Sequence, residues 1–392
     1  MTREEVKDEI LKVNNPNVLC ELPTSFGKTK IALELLKLRV QYSSKTHILI
    51  VIPRLVLIEN WKAEFRKWKM KEYLPYVEFV TYISFPKKAG NWDICIFDEA
   101  HHLSQRCKES LECFNIKNTI LLSATVGREF KESLKWLFKD LYIYRVSTKQ
   151  AIEEEVLPDP KVYLIPMYLD NTKVEYTIVR NKSQKQEITI PYSDRFKYAG
   201  IKNVRINIQC TQKQYYDDMS SLIEWYKKKT FNETFKNMFL RKSGERLKWL
   251  SEQKNSFILT LLDKLKHYRT LTFCSSILQT EILGKYCVNS SNEVAAVRNL
   301  NDFNTEKINH ITACNMLDEG CNLTNCRVGV YASLNSSERM IKQKLGRLLR
   351  HPEPIIIIPY YKYTRDEEIV NKMLEDYNPQ LVLTTNINEL QL

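Results

Sequence analysis

Glycine is scarce in this 392-residue chain, with nine in all, which favours regular elements over flexible linkers. No apolar run reaches the roughly 18 residues that a membrane-spanning helix needs. The opening MTREEVKDEI has no apolar stretch of the kind a secretory signal carries. Ten cysteines fall without any CxxC pair, and six histidines sit without ligand spacing. The expectation is reduced, mostly buried thiols in a cytosolic-type compartment, with no zinc site and no membrane contact. No internal repeat or low-complexity tract stands out. An apolar fraction of 43% over this length suits two or three domains with ample core.

Against that background, residues 22–29 read LPTSFGKT. Val18 to Leu22 is a short apolar strand candidate, and Lys30 to Val40 has leucines at helical spacing. A strand, a loop ending Gly27-Lys28-Thr29 and a helix make a phosphate-binding context. Consecutive backbone N–H groups curl round phosphate at a helix N-terminus, a lysine reaches the β/γ oxygens, and a hydroxyl ligates Mg²⁺. Leu22 stands where the full GxxxxGK[ST] pattern has its first glycine. Asp93 to Phe97 is a continuous apolar run ending in Asp98-Glu99-Ala100-His101-His102. Such a run fits a parallel strand covered on both faces, and a carboxylate at its carboxyl end suits a metal or an attacking water. Near the end, Gln343, Arg347 and Arg350 lie at i, i+4 and i+7, one face of a helix that would present forked cationic donors.

In this order the segments resemble the superfamily 2 helicases and translocases over most of the chain. Leu22 to Thr29 is similar to motif I, and Val51 to Val56 with Glu59-Asn60-Trp61 to motif Ia. Thr81-Tyr82 resembles motif Ib, Asp98-Glu99-Ala100-His101 the DEAH form of motif II, and Ser123-Ala124-Thr125 motif III. Phe273 to Ser276, Leu317 to Leu323, and Gln343 to Arg350 resemble motifs IV, V and VI. The resemblance implies ATP and Mg²⁺ as ligands. It places Thr24, Ser25, Phe26, Gly27, Lys28 and Thr29 round the phosphates, with Glu319, Gly320 and Asn322 from motif V. Thr29 and Asp98 hold the metal. Glu99 is the base, and Lys28, Gln343, Arg347 and Arg350 complete the catalytic set. His101, Ser123 and Thr125 couple the site to a nucleic-acid groove, where Arg54, Thr81 and Ser275 are the strand-contact candidates. Besides Leu22, four positions depart from the family pattern: Ser25 stands at a frequent glycine, Phe26 at a usually small residue, Asn322 at a common Asp, and Val6 at the Gln of the adenine-reading Arg-x-x-Gln that Arg3 would begin.

The alternation of strands and helices reads as doubly wound parallel sheets, and the resemblance implies that these form two RecA-like lobes in tandem. The first spans 1–146, the connection 147–160 and the second 161–392. A basic insertion over about 171–255 is expected as a hairpin, VEYTIVR with QEITIPY, followed by helices. Net charge is +12, and residues 161–256 hold 19 Lys/Arg against 10 Asp/Glu, interleaved with Tyr192, Phe196, Tyr198, Tyr215 and Trp225. That mixture suits a single-strand surface, or a solvated basic face over core rings. The leading expectation is a helicase or translocase on DNA, acting at a single strand or junction, with a protein partner left open. An RNA helicase, and an ATP-switched nucleic-acid sensor or scaffold without unwinding, are the alternatives.

Overall fold

The computed structural model describes residues 2–40, 46–55, 57–180, 186–196, 204–314, 323–334, 348, 350–375, 377–390 and 392. The first lobe is built on six parallel strands: β1 (Asn17–Glu21), β2 (Ile48–Ile52), β3 (Val77–Thr81), β4 (Asn91–Phe97), β5 (Asn115–Ser123) and β6 (Tyr142–Arg145). Their spatial order is β3-β2-β4-β5-β1-β6. Helices α1 (Arg3–Leu11), α2 (Lys28–Arg39), α3 (Leu57–Lys67), α4 (Gln105–Ser110), α5 (Arg128–Leu137) and α6 (Thr148–Glu153) accompany them. Every residue of the β2 run ILIVI is buried, as expected of a strand covered on both faces. In α3, Leu57, Trp61 and Phe65 recur every four residues and are its buried positions.

The second lobe opens with β7 (Lys161–Met167) and is interrupted by an insertion. This comprises β8 (Lys173–Arg180), β9 (Gln186–Pro191) and β10 (Val204–Thr211), then helices α7 (Gln212–Lys227), α8 (Glu233–Gln253) and α9 (Asn255–Lys264). The sheet resumes with β11 (Thr270–Phe273), β12 (Cys287–Val288), β13 (His310–Ala313), β14 (Val328–Tyr331), β15 (Ile355–Tyr361) and β16 (Val382–Thr384), with α10 (Ile277–Leu283), α11 (Glu293–Asn304) and α12 (Arg365–Leu374). Its order is β12-β13-β11-β14-β15-β7-β16, parallel throughout. Strand β15 is buried along its whole length, and each such isoleucine contributes roughly 1.5–3 kcal/mol.

The expected β8–β9 hairpin is absent. Strand β10 lies between the two, antiparallel to β8 and parallel to β9. Its isoleucines Ile206 and Ile208, 2% and 1% exposed, pack with Ile190 of β9 on one covered face of this sheet. The insertion is therefore a small mixed sheet, not a hairpin, followed by the expected helices.

Candidate functional site

The carboxyl ends of β1, β5 and β4 lie side by side, with Glu21 level with Ser123 and Phe97 with Leu121. Ligands of parallel sheets bind at this edge. The loop leaving β1 runs into α2 through two left-handed residues, Ser25 at φ 70° and Gly27 at φ 102°. A Cβ on Gly27 would meet nothing within 4 Å, so the dihedral, not crowding, requires glycine there. Ser25 adopts the same region with a side chain, at a strain of roughly 1–2 kcal/mol. Lys28 Nζ donates to Leu22 O at 3.2 Å and lies 4.0 Å from Glu99 Oε1. The Phe26 ring is only 3% exposed and packs into the core, leaving its backbone to face a ligand.

Asp98 and Glu99 follow β4, and Glu99 turns the chain with a φ of 50°. Trp61 Nε1 donates to Asp98 Oδ2 at 2.9 Å, and Tyr82 Oη donates to the Asp98 carbonyl at 2.7 Å. Burial, followed by the adjacent Glu99 charge, pushes the Asp98 carboxyl up to about 6, while the Trp61 hydrogen bond and Lys28 act in the opposite direction. Two crowded carboxyls beside a threonine-rich loop form an oxygen donor set of the kind Mg²⁺ takes. Among the described residues, Thr24 Oγ1, Glu99 Oε2 and Thr125 Oγ1 are buried without a hydrogen-bond partner. Of these, Thr24 Oγ1 and Glu99 Oε2 belong to cleft-lining residues: a phosphate oxygen would accept from the hydroxyl, and a metal ion or its water would meet the carboxylate oxygen.

Behind Glu99 runs a polar relay. His101 Nδ1 lies 3.5 Å from Glu99 Oε2 and 3.1 Å from Ser123 Oγ, which donates to Thr125 O at 3.2 Å. Glu21, which the sequence did not single out, fastens the relay to β1. It is 3% exposed, accepts from Val126 N at 3.1 Å, and meets Lys131 Nζ at 2.6 Å.

The two lobes meet over this edge. Arg350 Nε donates to Ser25 Oγ at 3.0 Å, although the residues are 325 positions apart. A cleft of about 1000 Å³ is lined by residues 24–29, Asp98 and Glu99 from the first lobe and by Arg350, His351 and Pro352 from the second. Arg3, Glu4 and Lys7 of α1 also line it, as do Glu155, Val156 and Pro158 of the connection. Arg3 Nη2 donates to Val156 O at 3.0 Å. Gly329 in β14 packs against the fully buried Leu348, two residues before Arg350; a Cβ there would fall 2.2 Å from Leu348 Cδ1, so a larger residue would make that side chain shift.

Arg54, Thr81 and Ser275 lie at the carboxyl ends of β2, β3 and β11, outside that cleft lining. Arg54 is exposed. Thr81 Oγ1 donates to Ser84 Oγ at 3.4 Å, and Ser275 Oγ donates to Gln279 Oε1 at 2.9 Å. Glu319, Gly320, Asn322, Gln343 and Arg347 lie outside the described residues. Trp61 and Tyr82 fall within motif-like segments, yet only the folded chain reveals that both hold Asp98.

Residues 2–87 match the family model of the type III restriction enzyme res subunit. No curated protein matches the chain. Among solved structures it is similar to S. cerevisiae Dbp5 bound to RNA and ADP BeF3, at 13% identity and a TM-score of 0.59, over 98% of this chain and 90% of that one. It is also similar to a fragment assigned to the HsdR subunit of a type I restriction enzyme from Vibrio vulnificus YJ016, at 14% identity and a TM-score of 0.56, over 100% of this chain and 69% of that one. At these identities the likeness is one of fold, and the chain has the mixed α/β architecture of tandem RecA-like helicase lobes.

Proposed function

We propose that the chain is an ATP-driven helicase or translocase, and that hydrolysis of Mg-ATP between the lobes moves it along DNA. The observation that carries this reading is the contact of Arg350 with Ser25 over a cleft that also holds Lys28, Asp98 and Glu99. In this reading Lys28 and the amides of residues 24–29 bind the phosphates, and Thr29 and Asp98 hold the metal. Magnesium, when bound, neutralises charge on the β and γ oxygens. Trp61 and Tyr82 keep the Asp98 carboxylate turned into the cleft. Glu99 orients the attacking water and takes its proton, with His101 Nδ1 standing 3.5 Å from its far oxygen. Arg347 and Arg350 add cationic charge from the second lobe, so the reacting set is complete only when the lobes are together. The relay from Glu99 through His101 and Ser123 to Thr125 then links the chemistry to strand contacts at Arg54, Thr81 and Ser275.

The choice of DNA is supported by the restriction-enzyme family model that matches residues 2–87. The likeness to Dbp5, whose structure is bound to RNA, favours RNA as the second reading. ATP turnover measured with single-stranded DNA, duplex DNA and single-stranded RNA separates them. DNA is expected to raise the rate at least several-fold over the protein alone, and RNA to leave it near the basal level. Stimulation by RNA alone would assign the second reading, and absence of ATP turnover under every condition would contradict both.

A further inference from the structure

The α7–α8 pair stands out from the second lobe. Over its 21 residues, α8 buries only Leu250 and Ser251, both near its carboxyl end. Helix α7 buries Gln212, Tyr216, Met219 and Ile223, leaving its last turn exposed. An α-helix of α8's length spans about 30 Å, so the turn between the helices lies far from the sheet. Rings gather at that distal end. Trp225 lies edge-on to Tyr226 and Phe235, with centroids 5.0 and 5.6 Å away, and Lys229 Nζ sits 3.6 Å from the centre of the Trp225 ring. Phe231 is 89% exposed and Trp225 46%.

The base of the arm is fixed. Lys254, fully buried, pairs with Asp366 at 2.6 Å and donates to Pro359 O at 3.2 Å. Ser251 Oγ donates to Ala332 O at 2.8 Å and lies 2.9 Å from Gln279 Oε1, which accepts from Ser275 N at 2.7 Å. These partners follow β14 and β11 or end β15, so the arm rises from the carboxyl edge that carries Ser275 and moves with the second lobe.

We propose that the tip of this arm, Trp225 and Phe231 flanked by Lys227, Lys228 and Lys229, is a stacking platform for the bases of an unpaired nucleic-acid strand. Charge selects that occupant. Residues 212–253 carry nine Lys/Arg against six Asp/Glu, and only Thr230 separates the three consecutive lysines from Phe231. A single strand offers what both features match, flat base faces and a phosphate at every step. An exposed ring next to clustered lysines has no comparable match in a neutral apolar protein groove. The assignment rests on the motor reading for its purpose, since a platform fixed to the second lobe would shift along the strand as that lobe moves.

The test is equilibrium binding, without nucleotide, of the full chain to a fluorescein-labelled single-stranded oligonucleotide and to an abasic strand of the same length. The double variant Trp225→Ala/Phe231→Ala is expected to raise Kd for the base-bearing strand about tenfold or more, with little change for the abasic strand. Phe231→Tyr, with Trp225 kept, should bind like the parent, and basal ATP turnover of each variant should equal the parent's. An unchanged Kd in the double variant would overturn the platform, as would equal losses on both strands or failure of the parent to bind the base-bearing strand. Failure of the motor reading shows separately, as absent ATP turnover in a parent chain whose strand binding still depends on the tip.

Discussion

Glu99→Gln is expected to bind ATP as the parent does and to lose turnover by about 10²–10⁴-fold, the usual contribution of a positioned general base. The substitution keeps size and geometry but removes the proton acceptor. Binding should survive, because the change also removes a negative charge from beside the phosphates. Lys28→Ala acts differently. Lys28 Nζ is the cation held between Leu22 O and Glu99, and its removal leaves two neighbouring carboxyls facing the incoming phosphates. ATP binding and turnover should then fall together. Equilibrium binding of a labelled ATP analogue, with steady-state phosphate release, separates the two behaviours. Unimpaired turnover in Glu99→Gln would remove the assigned base.

Arg350→Ala should leave ATP affinity within a few-fold of the parent and cut turnover by about 10³–10⁵-fold, or roughly 4–7 kcal/mol of barrier. The asymmetry follows from where the residue comes from. In the proposed mechanism the loop, Lys28 and Asp98 of the first lobe would bind the nucleotide without help, whereas Arg350 reaches Ser25 only across the cleft. Its charge matters most when charge is shifting in the reacting phosphoryl group. Arg350→Lys should recover little, because a point charge on a flexible stem does not replace the fixed guanidinium fork. A variant that lost ATP binding with no separate loss of turnover would show Arg350 to be a ground-state ligand.

The strands whose apolar runs are self-contained were legible in the sequence. The runs at β2, β4 and β15 are buried on both faces whatever their neighbours, and each carries its own signal. Strand β10 was not legible, because alternating VRINIQ next to polar residues does not reveal that it is a central strand; the pairing with β8 and β9 decides that. Three-residue β16 was missed for a similar reason, since its only support is the edge of β7. In the site, motif spacing brought residues 24–29, Asp98, Glu99 and Arg350 into view, and they share one cleft. The roles of Trp61, Glu21 and Gly329 stayed hidden. Each depends on a partner distant in sequence, Asp98, Val126 with Lys131, and Leu348 respectively, and no local pattern encodes such a pairing.

The proposed motor requires one nucleotide to be gripped from both sides. The most direct measurement places one label on the exposed Cys113 of the first lobe and another on Asn301→Cys in the second, in the Glu99→Gln background. Distance distributions are then recorded without nucleotide, with Mg-ATP and with Mg-ADP. ATP is expected to collapse the distribution onto a single narrow population, and ADP to leave it broad. Identical distributions in all three states, with ATP demonstrably bound, would contradict the claim that the lobes close on it.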